Sequence, residues 1–114
     1  MTGQSSNELL ETRAKDMHEA LKSQNEADWK NFIAANYSKD FLEQHEMSKH
    51  VGMFKRSSKD FSDSKISSLK VVEDKVLMVI ERNSDKHKVT FELNYDKDDD
   101  NKFNGLSIEA GELR

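Results

Sequence analysis

The chain has 114 residues and a formal charge of −4 at neutral pH, from 22 acidic and 18 basic side chains. This length fits one domain with a single small core, and the interspersed charges form no basic stripe for binding nucleic acid. The absence of cysteine excludes disulfides, thiol catalysis and thiolate metal sites. Because no apolar run approaches twenty residues, we expect a soluble and, by default, cytoplasmic protein that enters no membrane. No cofactor is predicted.

The N-terminal part of the chain has the apolar spacing of an amphipathic helix. Residues 1–6 are small and polar and are predicted to be a disordered tail, which leaves one domain at residues 7–114. Asn7 is placed to cap a first helix that ends near Gln24. Leu10 and Met17 belong to its apolar face.

Two further helices are predicted before the sequence pattern changes. The second begins near Asn25 or Glu26, where polar side chains favour a helix start. Residues 37–42 follow and are predicted to be a short extended piece. The third helix is indicated at residues 47–61, where apolar residues recur along one helical stripe.

From Ile66 onward the apolar residues begin to alternate, which is typical of strands. Four strands are predicted at residues 66–73, 75–82, 87–95 and 103–110. Helices followed by hairpin-connected strands indicate the α+β class. We therefore predict three N-terminal helices packed on a curved four-stranded antiparallel sheet, an arrangement that can enclose a conical pocket.

The second strand is apolar without interruption from Val76 to Ile80, so it places apolar side chains on both faces of the sheet. The helices can cover only one face. The other, with Leu77 and Val79, is predicted to be an interface, which favours a homodimer. The alternative is an apolar strand screened by long Lys and Glu side chains.

His45 and His50 invite comparison with a helical zinc motif, in which two histidines four residues apart face one metal. On a regular helix their spacing of five would turn the rings about 140° apart, so no metal site is predicted. His50, at the start of the third helix, is a candidate acid or base, beside the alternative of a surface or capping histidine.

Three carboxylates, Asp96, Asp98 and Asp100, match the first acidic positions of a calcium loop. Ser107 stands where the loop needs a bidentate glutamate, and the flanking segments have strand patterns. A solvated hairpin loop at residues 95–102 is the preferred interpretation.

The sequence has no phosphate-binding loop, no nucleophile elbow and no recognisable catalytic triad, so no catalytic residue is assigned. Several large apolar or aromatic residues and one histidine are candidates to line an apolar cavity, with simple core packing as the alternative. These pocket candidates are Trp29, Tyr37, His50, Met53, Phe54, Met78 and Phe91.

This organisation resembles the nuclear transport factor two-like superfamily, also called cystatin-like or SnoaL-like. The resemblance lies in the second helix from Trp29 to Ala35, the exit at residues 36–42, the third helix with His50, Met53, Phe54 and Phe61, and the strands that follow. Phe41, residues 47–61 and the next strand pair are most similar to small accessory domains of bacterial serine hydrolases and peptidases, or to stand-alone uncharacterised members.

The resemblance implies a cone-shaped cavity. Superfamily enzymes such as ketosteroid isomerases and polyketide cyclases place catalytic Asp, His or Tyr groups inside it. This chain departs from them because its strands carry no clear inward-facing aspartate. Tyr37, His50 and, less securely, His87 are the ionisable groups that the pattern brings near a pocket.

Three functions follow as hypotheses. The first is a noncatalytic domain that binds a small apolar ligand or a protein, and associates with itself through the sheet. The second is a small-molecule isomerase or dehydratase that transfers protons with His50 or Tyr37. The third is a ligand carrier without chemistry, which would have a pocket but no suitably placed acid or base.

Overall fold

The computed structural model describes residues 6–111, with the side chain of Ser6 left out. The helices are α1 (Ser6–Ser23), α2 (Glu26–Asn36), α3 (Lys39–Gln44) and α4 (Met47–Phe61). The strands are β1 (Ser64–Val71), β2 (Lys75–Arg82), β3 (Lys88–Asp96) and β4 (Lys102–Ala110). The predicted α+β class is confirmed. The predicted tail lies outside the described residues except for Ser6, which begins α1.

The prediction of three helices is wrong, because residues 39–44 form the additional helix α3 where an extended piece was expected. Ser38 explains the difference: its backbone is extended, and its side-chain oxygen accepts a hydrogen bond from the amide of Phe41 at 3.2 Å. This capping contact satisfies an amide that the first helical turn would otherwise leave unpaired. The helix is short, and His45 after it is extended again.

The four strands form one antiparallel sheet in the order β1-β2-β3-β4, so each strand pairs with its neighbour in the chain. In the register of the central pair, Val76 lies opposite Leu93 and Met78 lies opposite Phe91. All four of these side chains are buried against the helices. The predicted four-stranded antiparallel sheet is confirmed. It is an open sheet whose edges are β1 and β4.

The core lies between the sheet and helices α1, α2 and α4. Buried hydrogen bonds also connect these helices to one another. The indole nitrogen of Trp29 in α2 donates to the carbonyl of Ala20 in α1 at 2.8 Å. The hydroxyl of Ser58 in α4 donates to the carbonyl of Leu21 at 2.9 Å. Because these bonds are buried, they satisfy polar groups that water cannot reach and also fix the angles between the helices.

The other face of the sheet carries Leu77 and Val79. Val79 is 1% exposed within the single chain, and Leu77 is half-buried. An ion pair between Lys75 and Glu92, with 2.7 Å between the nitrogen and the oxygen, spans β2 and β3 on this face. Among the described strands, Leu77 is therefore the apolar residue on the outer face whose side chain is still exposed enough to contact a partner.

Within residues 6–111, every helix is too short or too polar to cross a lipid bilayer.

Candidate functional site

A pocket of about 250 Å³ opens between α3, the first turns of α4 and strand β4. It is lined by Tyr37, Phe41, His45, Lys49, His50, Met53 and Leu106. Three of the residues predicted to line a cavity, Tyr37, His50 and Met53, therefore lie together. The sequence pattern does not single out the other four for this role. The aromatic pair Tyr37 and Phe41, four residues apart, is the local signal that could have extended the set.

Backbone contacts to strand β4 hold Tyr37 in place. Its amide donates to the carbonyl of Ile33 at 3.0 Å and ends α2, and its own backbone is extended. It forms a parallel bridge with Phe103, and the amide of Ser38 donates to the carbonyl of Phe103 at 2.7 Å. These bonds tie the link between α2 and α3 to β4, which brings α3 beside the sheet.

Aromatic rings surround the Tyr37 side chain. The ring of Phe41 stacks on it with centroids 4.6 Å apart, and the ring of His50 meets it edge-on at 5.0 Å. Phe32 packs edge-on from the core side at 6.1 Å. Offset stacking and edge-to-face contacts at these separations are favourable, so the ring is firmly positioned.

The hydroxyl of Tyr37 has no hydrogen-bond partner among the described residues, although the residue is 1% exposed. Burial raises the pKa of this hydroxyl above its ordinary value, so it stays protonated at neutral pH and keeps its capacity to donate. An unpartnered buried polar group costs about 1–3 kcal/mol of stability.

His50 also buries a polar atom that lacks a partner. The residue is 5% exposed, and its Nε2 has no hydrogen-bond partner among the described residues. Burial is the main cause that lowers the pKa of its ring. Hydrogen bonding to the backbone of Phe41 and of His45 opposes this effect, and the charge of His45 adds to it. His50 is therefore neutral at neutral pH, and its Nε2 carries either a proton or a lone pair, according to the tautomer.

His45 and His50 do not lie on one regular helix, because His45 is the extended residue after α3 and His50 lies in α4. The two ring centroids are only 5.7 Å apart. Within residues 6–111, no group of three or more metal-ligating side chains is close enough to hold a metal ion.

The remaining pocket candidates belong to the core. Trp29 stacks on Phe54 with centroids 6.4 Å apart, and Phe91 packs edge-on against Phe61 at 6.4 Å. Met78 lies opposite Phe91 in the sheet and is fully buried. None of Trp29, Phe54, Met78 and Phe91 lines the pocket. All four are members of the hydrophobic core.

His87, the less secure candidate, lies away from this pocket. It is exposed in the connection between β2 and β3, and it lines a different surface depression together with Arg56 and Arg82. Arg82 there is engaged by Asp85 through two bonds of 2.9 and 2.8 Å.

The acidic segment lies between β3 and β4, as the hairpin interpretation predicts, and its polar groups form hydrogen bonds both within the segment and to helices α1 and α3. Asp96 accepts a hydrogen bond from the amide of Asp98 at 2.9 Å. Asp99 accepts one from the amide of Lys39 at 2.8 Å. The carbonyl of Asp100 accepts one from Arg13 at 3.1 Å. The loop is thereby attached to both α1 and α3.

A second buried histidine lies outside the pocket, and the sequence pattern does not single it out. His18 in α1 is 5% exposed, and its Nε2 is 3.0 Å from the hydroxyl oxygen of Ser64. Because that hydroxyl donates to the carbonyl of Phe61, it accepts from the Nε2 proton of neutral His18. Burial, followed by the charge of Lys22, lowers the pKa of His18.

We expect the free energy of unfolding to fall as the pH drops below 6.5, the ordinary histidine pKa. In the unfolded chain His18 and His50 take up protons there, whereas their lowered pKa values keep them neutral in the folded chain. The unfolded state then binds more protons, so acid favours it, and the stability is fully present only above that pH. Urea unfolding at several pH values measures this, and His18→Gln should show a smaller loss. An equal loss in the variant would contradict the role of His18.

Comparisons with known proteins found no matching family model, no curated protein of significant similarity and no matching solved structure.

Proposed function

We propose that this chain is a noncatalytic binding domain that takes a small molecule in the pocket between Tyr37 and His50. One observation carries the proposal: two residues that line the pocket each bury a polar atom without a partner in residues 6–111, the hydroxyl of Tyr37 and the Nε2 of His50. Buried polar groups are nearly always hydrogen-bonded in folded proteins. A ligand that carries a hydroxyl or carbonyl group would satisfy both.

The stability cost of these groups supports a functional role. A phenylalanine at position 37 would keep the stacking on Phe41 and remove the unpaired hydroxyl, so the tyrosine is the less stable choice. Proteins retain such costs mainly where function needs them. Both polar atoms are shielded in the described conformation, and Met53, unbranched and half-buried, is the lining side chain best suited to move aside for a ligand.

The proposal includes the finer description of the fold, a cone-shaped cystatin-like domain of the nuclear transport factor two-like superfamily. Its support is the chain order of helices before strands, with the helices on one face of a four-stranded antiparallel sheet. By the same resemblance, the domain is similar to small accessory domains of bacterial hydrolases or to stand-alone members. The function itself rests on the pocket, because a fold alone does not determine what a protein does.

Titration with 4-methylphenol, followed by NMR, tests the binding function. We expect saturable shifts at Tyr37 and His50, and we expect Tyr37→Phe to weaken binding about fivefold because one hydrogen bond is lost. The same variant should raise the free energy of unfolding by about 1–2 kcal/mol because the unpaired hydroxyl is gone. Weaker binding together with higher stability in Tyr37→Phe would identify Tyr37 as a ligand contact, because a residue with only a structural role would not show this combination.

The second tyrosine of the chain provides the matched control. The hydroxyl of Tyr95 donates to the carbonyls of Val72 and Glu73 at 3.1 and 2.7 Å, away from the pocket. Tyr95→Phe should leave the affinity for 4-methylphenol unchanged. Equal weakening by both variants, or the absence of any saturable shift at Tyr37 and His50, would refute the proposed site.

A small-molecule isomerase or dehydratase is the second candidate function. The lowered pKa of His50 favours it, because neutral His50 in the tautomer with a free Nε2 lone pair could accept a proton from a bound substrate. Tyr37, protonated and buried, could donate to a developing oxyanion. Substrate turnover that disappears in His50→Gln would favour this candidate over the binding domain.

Self-association through the outer sheet face remains part of the proposal, with Leu77 as the interface candidate that keeps exposed area; Val79, the other candidate, is already buried within the single chain. Its support is the half-buried Leu77 beside the ion pair of Lys75 and Glu92, a small apolar centre with a polar rim. Sedimentation velocity over a wide range of protein concentrations should show a dimer that Leu77→Lys abolishes. A particle that stays monomeric at the highest concentration would refute it.

A further inference from the structure

The charged side chain that lines the pocket, Lys49, is positive. The chain has more acidic than basic residues, 22 against 18, yet none of the described residues that line the pocket is acidic. Its ionisable lining residues are Tyr37, His45, Lys49 and His50. A lining that contains a lysine and no carboxylate favours a negatively charged ligand group.

These four side chains divide into an inner and an outer zone. Tyr37 and His50 are buried and uncharged at neutral pH. Lys49 and His45 are exposed at the mouth of the pocket, where Lys49 carries a full positive charge. The pocket therefore has a neutral, hydrogen-bonding interior and a cationic rim.

The beginning of α4 adds positive potential at the same rim. The side chain of Glu46 accepts no hydrogen bond from the helix, although its backbone carbonyl accepts from the amides of Lys49 and His50 at 2.9 and 3.3 Å, and the first turn contains no acidic residue. No acidic side chain in this turn thus offsets the partial positive charge of the helix N-terminus. Glu46 is the acidic residue nearest in sequence, and it is exposed and does not line the pocket.

We propose that the ligand is a small amphipathic organic anion, with a hydroxyl or carbonyl group that reaches Tyr37 and His50 and a carboxylate that lies at the mouth beside Lys49. This inference rests on the binding function proposed above. The orientation follows from solvation, because a carboxylate buried among neutral groups loses its hydration without a compensating charge. At the rim it stays in water and gains the attraction of Lys49. The aromatic rings of Phe41 and Tyr37 suit a flat apolar body between the two groups.

Three probes of similar size test this orientation by NMR titration of the full chain: 4-hydroxybenzoate, 4-methylphenol and benzoate. The first carries both groups, the second lacks the anion and the third lacks the hydroxyl. We expect 4-hydroxybenzoate to bind most tightly. Lys49→Met should weaken the binding of 4-hydroxybenzoate about threefold, as expected for an exposed charge pair, and should leave the affinity for 4-methylphenol unchanged.

Lys59→Met is the matched control, because Lys59 is an exposed lysine in the last turn of the same helix and does not line the pocket. It should change none of the three affinities. If both lysine variants weaken the binding of 4-hydroxybenzoate equally, the effect comes from the overall charge of the chain and the inference is overturned.

Three other results are also decisive. If 4-hydroxybenzoate and 4-methylphenol bind equally and Lys49→Met affects neither, the anionic ligand is refuted while the binding pocket stands. If benzoate binds as tightly as 4-hydroxybenzoate, the inward hydroxyl is refuted. If none of the probes shifts the Tyr37 and His50 signals, the proposed function falls together with this inference.

Discussion

Phe54→Ala is expected to lower the free energy of unfolding by about 3–5 kcal/mol, the largest effect of any single substitution proposed for this chain. Phe54 is fully buried in α4 and packs against two aromatic rings of α2, Trp29 at 6.4 Å and Phe32 at 5.6 Å between centroids. Truncation removes these contacts and leaves a cavity that the surrounding helices can fill only in part.

Chemical unfolding followed by Trp29 fluorescence measures this loss. Since small domains are stable by only about 5–15 kcal/mol, the alanine variant could fail to fold, and Phe54→Leu provides a milder test of the same packing. The neighbouring Met53→Ala is the control, because Met53 is half-buried and lines the open pocket. A loss at position 53 as large as that at position 54 would contradict this assignment of the core.

Arg13→Met is expected to lower the free energy of unfolding by about 1–3 kcal/mol through lost hydrogen bonds. From α1, the guanidinium donates to the side-chain oxygen of Asn36 at 2.7 Å and to the carbonyl of Asp100 at 3.1 Å. Its side chain is only 11% exposed, and Asn36 is buried. Methionine keeps most of the apolar stem but leaves the oxygen of Asn36 unpaired.

The local consequence should appear in the connection between β3 and β4. Without Arg13, the amide of Asn101, which donates to Asp96, and that of Lys39, which donates to Asp99, should exchange with solvent faster. Hydrogen exchange measures both. Arg56→Met is the control, since Arg56 is exposed on α4. Unchanged exchange at both amides would show that Arg13 does not hold this loop.

Local sequence patterns were sufficient where one face of an element is clearly apolar. The strand predicted at residues 75–82 and the helix predicted at residues 47–61 agree with β2 and α4 at both ends. Each has an apolar pattern with the period of its own secondary structure. The start of α2 was also predictable, because Asn25 accepts hydrogen bonds from the amides of Ala27 and Asp28.

Helix α3 shows where such patterns fail. Six residues are too few for a helical period to become visible, and an isolated helix of that length is not stable in water. Its stability depends on the Ser38 cap and on tertiary contacts such as the bond from the amide of Lys39 to Asp99. Those partners are sixty residues apart in the chain, so no local window contains both.

The sequence by itself determined the class of the fold, the order of all its elements except α3 and most of the residues that face the core, because periodicity and capping act over a few neighbouring residues. Only the tertiary structure decided where the pocket lies. The amide of Ser38 pairs with the carbonyl of Phe103, which brings Tyr37 and α3 against β4 and places Leu106 beside His50. The same packing deprives the Tyr37 hydroxyl and the His50 Nε2 of partners, because it excludes water without supplying a hydrogen-bonding group.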